Sequence, residues 1–131
     1  LVALSIALDS KWGNADLDNI RLLSCGTGDA PVSIDKKKED WGAEQWLNPF
    51  GDPAVPLINI LMGGVQETAD YQSGMILGDK YMRFNVILKE NFSMDDWEHV
   101  DDLIKEAEAY VRDNPEKWNN LVNWVVDSFL E

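Results

Sequence analysis

Ser24 is the serine whose surroundings come closest to those of a catalytic nucleophile, because it lies in the apolar run from Ile20 to Cys25 and stands two residues before Gly26. A serine hydrolase on an α/β sheet needs the pattern G-x-S-x-G, since both glycines relieve crowding at a sharp strand-to-helix turn. Leu22 occupies the position of the first glycine, and no other serine in the chain fits the pattern. We therefore expect Ser24 to lie inside a strand and this chain to lack the nucleophile.

The turn Gly26-Thr27-Gly28 offers a second possible chemistry, a cradle for phosphate. It supplies two glycines of a dinucleotide-binding fingerprint, but Pro31 stands where the third would fall, and no Gly-Lys-Ser/Thr follows. We interpret the turn as a structural corner. Ligands of open parallel sheets bind outside the carboxyl ends of the strands, so Gly26, Thr27 and Gly28 are candidates for the rim of a site.

Metal and thiol chemistry have little support in the sequence. His99 is the single histidine, and Asp95, Asp96 and Asp102 lie within one helical turn of it. Asp96 and His99 could hold a surface ion because residues three apart share a helix face, but an exposed histidine on an acidic helix is the commoner outcome. Cys25, the single cysteine, is expected to be a buried apolar residue. We predict no metal site and no cofactor.

Composition excludes several classes of partner. The 131 residues carry a formal net charge of −13, which argues against nucleic acid and against anionic membranes because both bind clustered Lys and Arg. No apolar run approaches the roughly 20 residues of a spanning helix. The first residues lack the basic flank and cleavage site of a signal peptide. We expect a cytoplasmic protein, with secretion left open.

Periodicity predicts the elements that position these residues. The expected order is a helix over 1–10, a strand at 20–25, a long connection over 29–52, a helix over 53–77 and a strand at 80–88. A helical crossover implies that the two strands are parallel. Gly63-Gly64 in the long helix indicates either a kink or a close approach by another backbone, and such packing fits the pair better than the approach of a lipid or substrate. Its apolar residues fit ordinary core packing better than the wall of a ligand pocket.

The remainder of the chain is predicted to form two acidic helices. Ser93, with Asp96 three residues later, fits a capping box, and Asn114-Pro115 fits the start of a second helix. We therefore divide the chain into an α/β part over 1–92 and a two-helix tail over 93–131 that packs on the same domain.

Several of these segments resemble the patatin-like phospholipase family. Leu23-Ser24-Cys25-Gly26-Thr27-Gly28 is similar to its S-[LI]-G-T-G strand and turn, with Cys25 where the family has Leu or Ile. Ala69–Gln72 and the run Leu77-Gly78-Asp79-Lys80-Tyr81-Met82-Arg83-Phe84-Asn85 resemble its D-Y-Q and L-G-D-x-Y-x-R-[IF]-N segments, particularly in bacterial members. The likeness covers most of residues 1–90, in the order expected of the C-terminal half of the domain.

This resemblance implies a three-layer α/β sandwich with a mainly parallel sheet, and hydrolysis of acyl esters in lipids without a cofactor. In the family, a G-x-S-x-G serine and a D-G-G/A aspartate form the catalytic dyad, and an upstream glycine-rich turn forms the oxyanion hole. None of these motifs occurs in the 131 residues, so the resemblance places the catalytic residues before Leu1. The uncapped apolar start at Leu1 also favours a chain cut from a longer one.

A different class of function stays open, that of a non-catalytic interaction module. The chain has six tryptophans, an acidic helical tail and no complete site. Helix faces of this kind dock partner helices, and Trp41 and Trp46 in the long connection would be natural anchors. For the hydrolase, the segment from Met62 to Met75, with Ile58 and Leu61, is the candidate wall of an acyl pocket.

Overall fold

The computed structural model describes residues 1–29, 42–48, 50, 55–90, 92 and 97–130. Its helices are α1 (Val2–Leu8), α2 (Ala43–Leu47), α3 (Pro56–Leu77), α4 (Val100–Asp113) and α5 (Pro115–Phe129), and its strands are β1 (Leu22–Cys25) and β2 (Tyr81–Phe84). Short 3-10 turns lie at Leu17–Asn19, Gly78–Lys80 and Trp97–His99. The predicted mixture of helices and strands is confirmed.

The two strands are parallel, as the helical crossover predicted. Leu22 lies opposite Tyr81 and Cys25 opposite Phe84, and one further parallel bridge joins Asp29 to Ile87. Both strands are shorter than predicted. The ladder is interrupted after Phe84 because the side chain of Asn85, rather than another backbone group, accepts the next hydrogen bond from the Gly28 N–H.

The hydrophobic core lies where α1, the start of β1 and the end of α3 meet. Leu4, Ile20 and Leu77 are at most 9% exposed, and Leu22 and Tyr81 pack against them. Each such side chain stabilises the fold by about 1.5–3 kcal/mol on burial. This small cluster therefore anchors α1 and α3 to the sheet.

Cys25 departs from the prediction that it is a buried apolar residue. Leu22, Leu23 and Ser24 are half-buried, whereas Cys25 is exposed. The prediction of burial is wrong for this end of β1, because the described elements cover its first three residues and leave the fourth open to solvent.

The apolar side chains of α3 are also more exposed than core packing predicts. The helix begins at Pro56, after Val55 at a φ of 45°; Pro53, the predicted start, lies outside the described residues. Leu61 is 58% and Val65 71% exposed. Of the two alternatives for Gly63-Gly64, the close approach by another backbone is not seen among the described residues, because a Cβ added to either glycine would have none of their heavy atoms within 4 Å.

The two tail helices meet at Asn114-Pro115, as predicted. The Asn114 backbone N–H and its side-chain Nδ2 donate to the carbonyl of Tyr110, at 3.0 and 2.8 Å, so its side chain caps the end of α4. The Phe84 ring packs edge-on against Tyr110 and Trp118, with centroids 6.5 and 5.8 Å away. These contacts place α4 and α5 against β2. The predicted cap at Ser93 and Asp96 lies outside the described residues.

Candidate functional site

The turn Gly26-Thr27-Gly28 is clamped by the side chain of Asn85, the residue that follows β2. Oδ1 of Asn85 accepts a hydrogen bond of 2.9 Å from the Gly28 N–H, and its Nδ2 donates one of 2.9 Å to Oδ2 of Asp29. A Cβ at Gly26 would overlap the Asn85 carboxamide. Glycine is therefore needed at position 26 because the clamp occupies the space of a side chain.

Gly28 is needed for a different reason. Its φ of +106° lies in the region that L side chains rarely adopt, and a Cβ there would lie 2.6 Å from Cδ1 of Leu88. Leu88 is buried, so it cannot move away freely. Both glycines of the turn are thus explained by packing and backbone conformation.

The backbone donors of this turn are used inside the protein. The N–H of Gly26 donates to the carbonyl of Phe84 at 2.9 Å, and that of Asp29 to Val86 at 2.8 Å. Together with the Gly28 bond to Asn85, they engage three of the N–H groups that a phosphate cradle or oxyanion hole would need. The geometry is that of a structural corner at the carboxyl ends of two parallel strands.

A second group of polar side chains lies on the strands just before the turn. Tyr81 and Arg83 alternate along β2 and therefore share one face, and Ser24 lies opposite Arg83 in the ladder. Arg83 donates a hydrogen bond of 2.9 Å to the Ser24 hydroxyl. The Tyr81 hydroxyl donates to Asp70 of α3, whose Oδ1 is 3.8 Å from Nε of Arg83. This Ser24–Asp70–Tyr81–Arg83 network joins both strands to the long helix.

The network does not activate Ser24 as a nucleophile. An activated serine donates its proton to a neighbouring base. The partners of the Ser24 hydroxyl are the guanidinium of Arg83, which stays protonated, and the Tyr81 hydroxyl, and neither is a base. Burial raises the pKa of Tyr81, and its hydrogen bond to Asp70 adds to that effect. The tyrosine therefore stays protonated and keeps donating to Asp70.

Two cavities lie on either side of this network, and Arg83 and Asp70 line both of them. The smaller, about 250 Å³, is bounded by Leu1, Ser24 and Tyr81 among others. The larger, about 470 Å³, runs along β2 to the tail helices. The two polar side chains thus stand between two spaces that could admit small molecules.

Several of the other predicted chemistry-bearing residues lie outside the described residues. His99 ends a 3-10 turn just before α4, and its proposed partners Asp95 and Asp96 lie outside the described residues, as do Pro31 and Trp41. Trp46 is half-buried. In the part of the chain that the structure describes, no group of His, Cys, Asp and Glu could hold a metal ion, and no helix is long and apolar enough to cross a membrane.

Asp70, Arg83 and Asn85 lie in the segments that resemble the family, but the sequence alone indicates no role for them. The signal that could have revealed one is the alternation of Tyr81, Arg83 and Asn85, which places three polar side chains on one face of the strand predicted at 80–88. Buried polar groups need partners, and the partners are the turn, Ser24 and Asp70.

Comparison with known proteins identifies one distant likeness. The chain is similar to Protein teg of Priestia megaterium. The two are 28% identical over 122 aligned residues, and the match covers 79% of this chain and 38% of that protein. The chain thus spans about two-fifths of the length of the curated relative it matches. No family model matches the chain, and no solved structure matches it.

Proposed function

We propose that this chain is the C-terminal portion of a patatin-like lipid acyl hydrolase, in which it forms part of a three-layer α/β sandwich with a mainly parallel sheet. One observation carries the proposal. Direct hydrogen bonds join the two segments that resemble the family. They link Gly28 to Asn85, 57 residues away, and Ser24 to Arg83, 59 residues away. Motif residues that converge on one corner of a sheet are expected of a functional domain.

In this proposal the chain positions a site rather than carrying out the reaction. The clamped turn ends β1 at the edge where open parallel sheets bind ligands. Gly26, Thr27 and Gly28 border the active site there, and Asn85 holds them in place. The nucleophilic serine and the aspartate that deprotonates it come from residues before Leu1. As the family resemblance implies, a separate upstream glycine-rich turn supplies the oxyanion hole; in this turn the N–H groups of Gly26, Gly28 and Asp29 are engaged.

The surface of α3 supports a larger parent fold. From Pro56 to Gln66 the helix has no charged residue, and Ile58, Leu61 and Met62 are 48, 58 and 66% exposed. A helix that is apolar on several sides is normally covered. In the parent hydrolase, the remainder of the domain and the acyl chain of the substrate would cover α3, with Met62 to Met75 as the candidate wall of the acyl pocket.

The test begins with the gene. The coding sequence before Leu1 is expected to contain D-G-G/A and, further upstream, G-x-S-x-G. The full-length protein should then hydrolyse p-nitrophenyl octanoate, and replacing the serine of G-x-S-x-G by alanine should abolish turnover. The 131-residue chain alone should show no turnover above background. Absence of both upstream motifs, or serine-dependent turnover by the isolated chain, would contradict the proposal.

The alternative of an interaction module is favoured by a different observation, the exposure of large aromatic side chains. Trp12 is 80% and Trp97 77% exposed, and exposed tryptophans often anchor protein partners. An initiator methionine directly before Leu1, together with a full-length protein that hydrolyses no ester, would favour the module. In that case no covering domain is encoded upstream.

A further inference from the structure

The larger cavity combines an apolar floor with cationic walls and does not coincide with the clamped turn. Its volume of about 470 Å³ lies within the roughly 300–1,000 Å³ of small-molecule sites. Met82, Phe84 and Leu121 form its apolar lining. Phe84 is held edge-on by Tyr110 and Trp118, and Leu121 is buried. The floor is therefore already packed before any ligand enters.

Two basic residues line the same cavity. Arg83 of β2 and Lys117 in the first turn of α5 both line it. Nζ of Lys117 donates to the Tyr110 hydroxyl at 3.0 Å and lies 5.4 Å from the centre of that ring. The ammonium is thus directed onto a residue of the cavity wall rather than left free in solvent.

Arg83 retains donors for a ligand. A guanidinium has five N–H donors; one bonds Ser24, and Nε faces Asp70 at 3.8 Å. Asp70 also lines the cavity, and its carboxylate offsets one of the two positive charges. Arg83, Lys117 and Asp70 together carry a net charge of about +1 at neutral pH. The whole chain, by contrast, has a formal net charge of −13.

An amide group completes the polar wall. Asn120 lines the cavity beside the two basic residues, and a carboxamide donates hydrogen bonds to anionic oxygens. Asn85 lines the cavity too, but its carboxamide is engaged by Gly28 and Asp29. Apolar surface with a few convergent polar groups is typical of a ligand site. The charge of the wall selects an anion, and the apolar floor selects a molecule with a hydrocarbon body.

We propose that this cavity binds a small amphiphilic organic anion, with its carboxylate or phosphate between Arg83 and Lys117 and its hydrocarbon part against Phe84 and Leu121. Arg suits this head group because its planar donors match both anions. The site is formed by β2 and the tail helices, and it does not depend on the proposed hydrolase activity.

The test is calorimetric titration of the 131-residue chain with octanoate, octyl phosphate, octanol and inorganic phosphate. We expect at least one octyl anion to bind about tenfold or more tightly than octanol, because a lost charge-assisted hydrogen bond costs at least that factor. The tighter of the two octyl anions identifies the head group. Inorganic phosphate should bind more weakly than octyl phosphate, because it leaves the apolar floor uncovered.

Two matched variants locate the site. Lys117→Gln should weaken binding of the octyl anion about tenfold, whereas Lys105→Gln, at an exposed lysine of α4 that pairs with Asp102, should leave it unchanged. Circular dichroism verifies that both variants fold. Equal affinity for octanol and the octyl anions, no binding of either anion, or equal affinity in wild type and Lys117→Gln would overturn the proposal.

Discussion

Asn85→Asp tests whether the clamp on the glycine turn depends on one correctly placed amide. Aspartate keeps the oxygen that accepts from the Gly28 N–H but loses the Nδ2 donor, which now lies 2.9 Å from Oδ2 of Asp29. Two carboxylates would then face each other. Unit charges about 4 Å apart repel by roughly 1 kcal/mol in water and roughly 4 kcal/mol at an effective dielectric constant of about 20.

The expected loss lies toward the lower end of that range. Asp29 is exposed, whereas Asn85 is half-buried, so water screens one side of the pair. We expect the variant to lose about 2 kcal/mol of unfolding free energy, with the lost hydrogen bond included. In urea this lowers the midpoint by about 1 M, measured by far-ultraviolet circular dichroism at neutral pH.

The loss should also depend on pH in a defined direction. The neighbouring carboxylate raises the folded-state pKa of the new aspartate above its unfolded value. The penalty is therefore absent below the unfolded pKa, about 3.9, and complete above the folded pKa. The stability difference from wild type should shrink as the pH falls toward about 4.

A double variant and a control make the test specific. Adding Asp29→Asn to Asn85→Asp restores one donor opposite one acceptor, and it should recover most of the lost stability. Asn123→Asp, at an exposed position of α5, adds the same charge away from the turn and should change stability little. If Asn85→Asp is as stable as wild type at neutral pH, or if the double variant shows no recovery, the clamp does not hold the turn as argued.

Two further perturbations probe the backbone and the polar network. Gly28→Ala should lower the free energy of unfolding by about 1–3 kcal/mol, because the φ of Gly28 is +106° and a Cβ there would strike Leu88. Gly63→Ala in α3 meets no described neighbour and should raise the free energy of unfolding by up to about 1 kcal/mol. Equal effects of the two variants in urea unfolding would refute this distinction. Tyr81→Phe should lose about 1 kcal/mol. The pKa of Tyr81 is raised in the folded protein. Its contribution to stability is therefore present below the pKa of the unfolded state and is lost as the pH rises through the pKa of the folded state. An ultraviolet titration of wild type in which no tyrosine ionises at a raised pH would contradict this account.

The elements themselves could be predicted from local sequence. Helical spacing located α3 and the tail helices, and Asn114-Pro115 gave their boundary, because proline suits the first turn of a helix and cannot continue one. The parallel pairing of β1 and β2 followed from the helix between them, since a crossover of that length returns the chain in the same direction. These features depend on residues close together in the chain.

Burial could not be predicted in the same way. Cys25 and Val65 are apolar positions in apolar segments, yet both are exposed. Whether such a residue is buried depends on which other elements lie over it, and periodicity describes one element at a time. The same limit applies to Gly63-Gly64, where the close approach is not seen among the described residues.

The sequence by itself determined that 26–28 form a tight turn after a strand, because two glycines and the lack of a complete catalytic or nucleotide-binding motif leave few other interpretations. Only the tertiary structure decided why each glycine is required and what holds the turn. That answer depends on Asn85, whose carboxamide reaches the Gly28 N–H from 57 residues away. A contact over that separation is set by the register of β1 against β2, and no local pattern encodes the register.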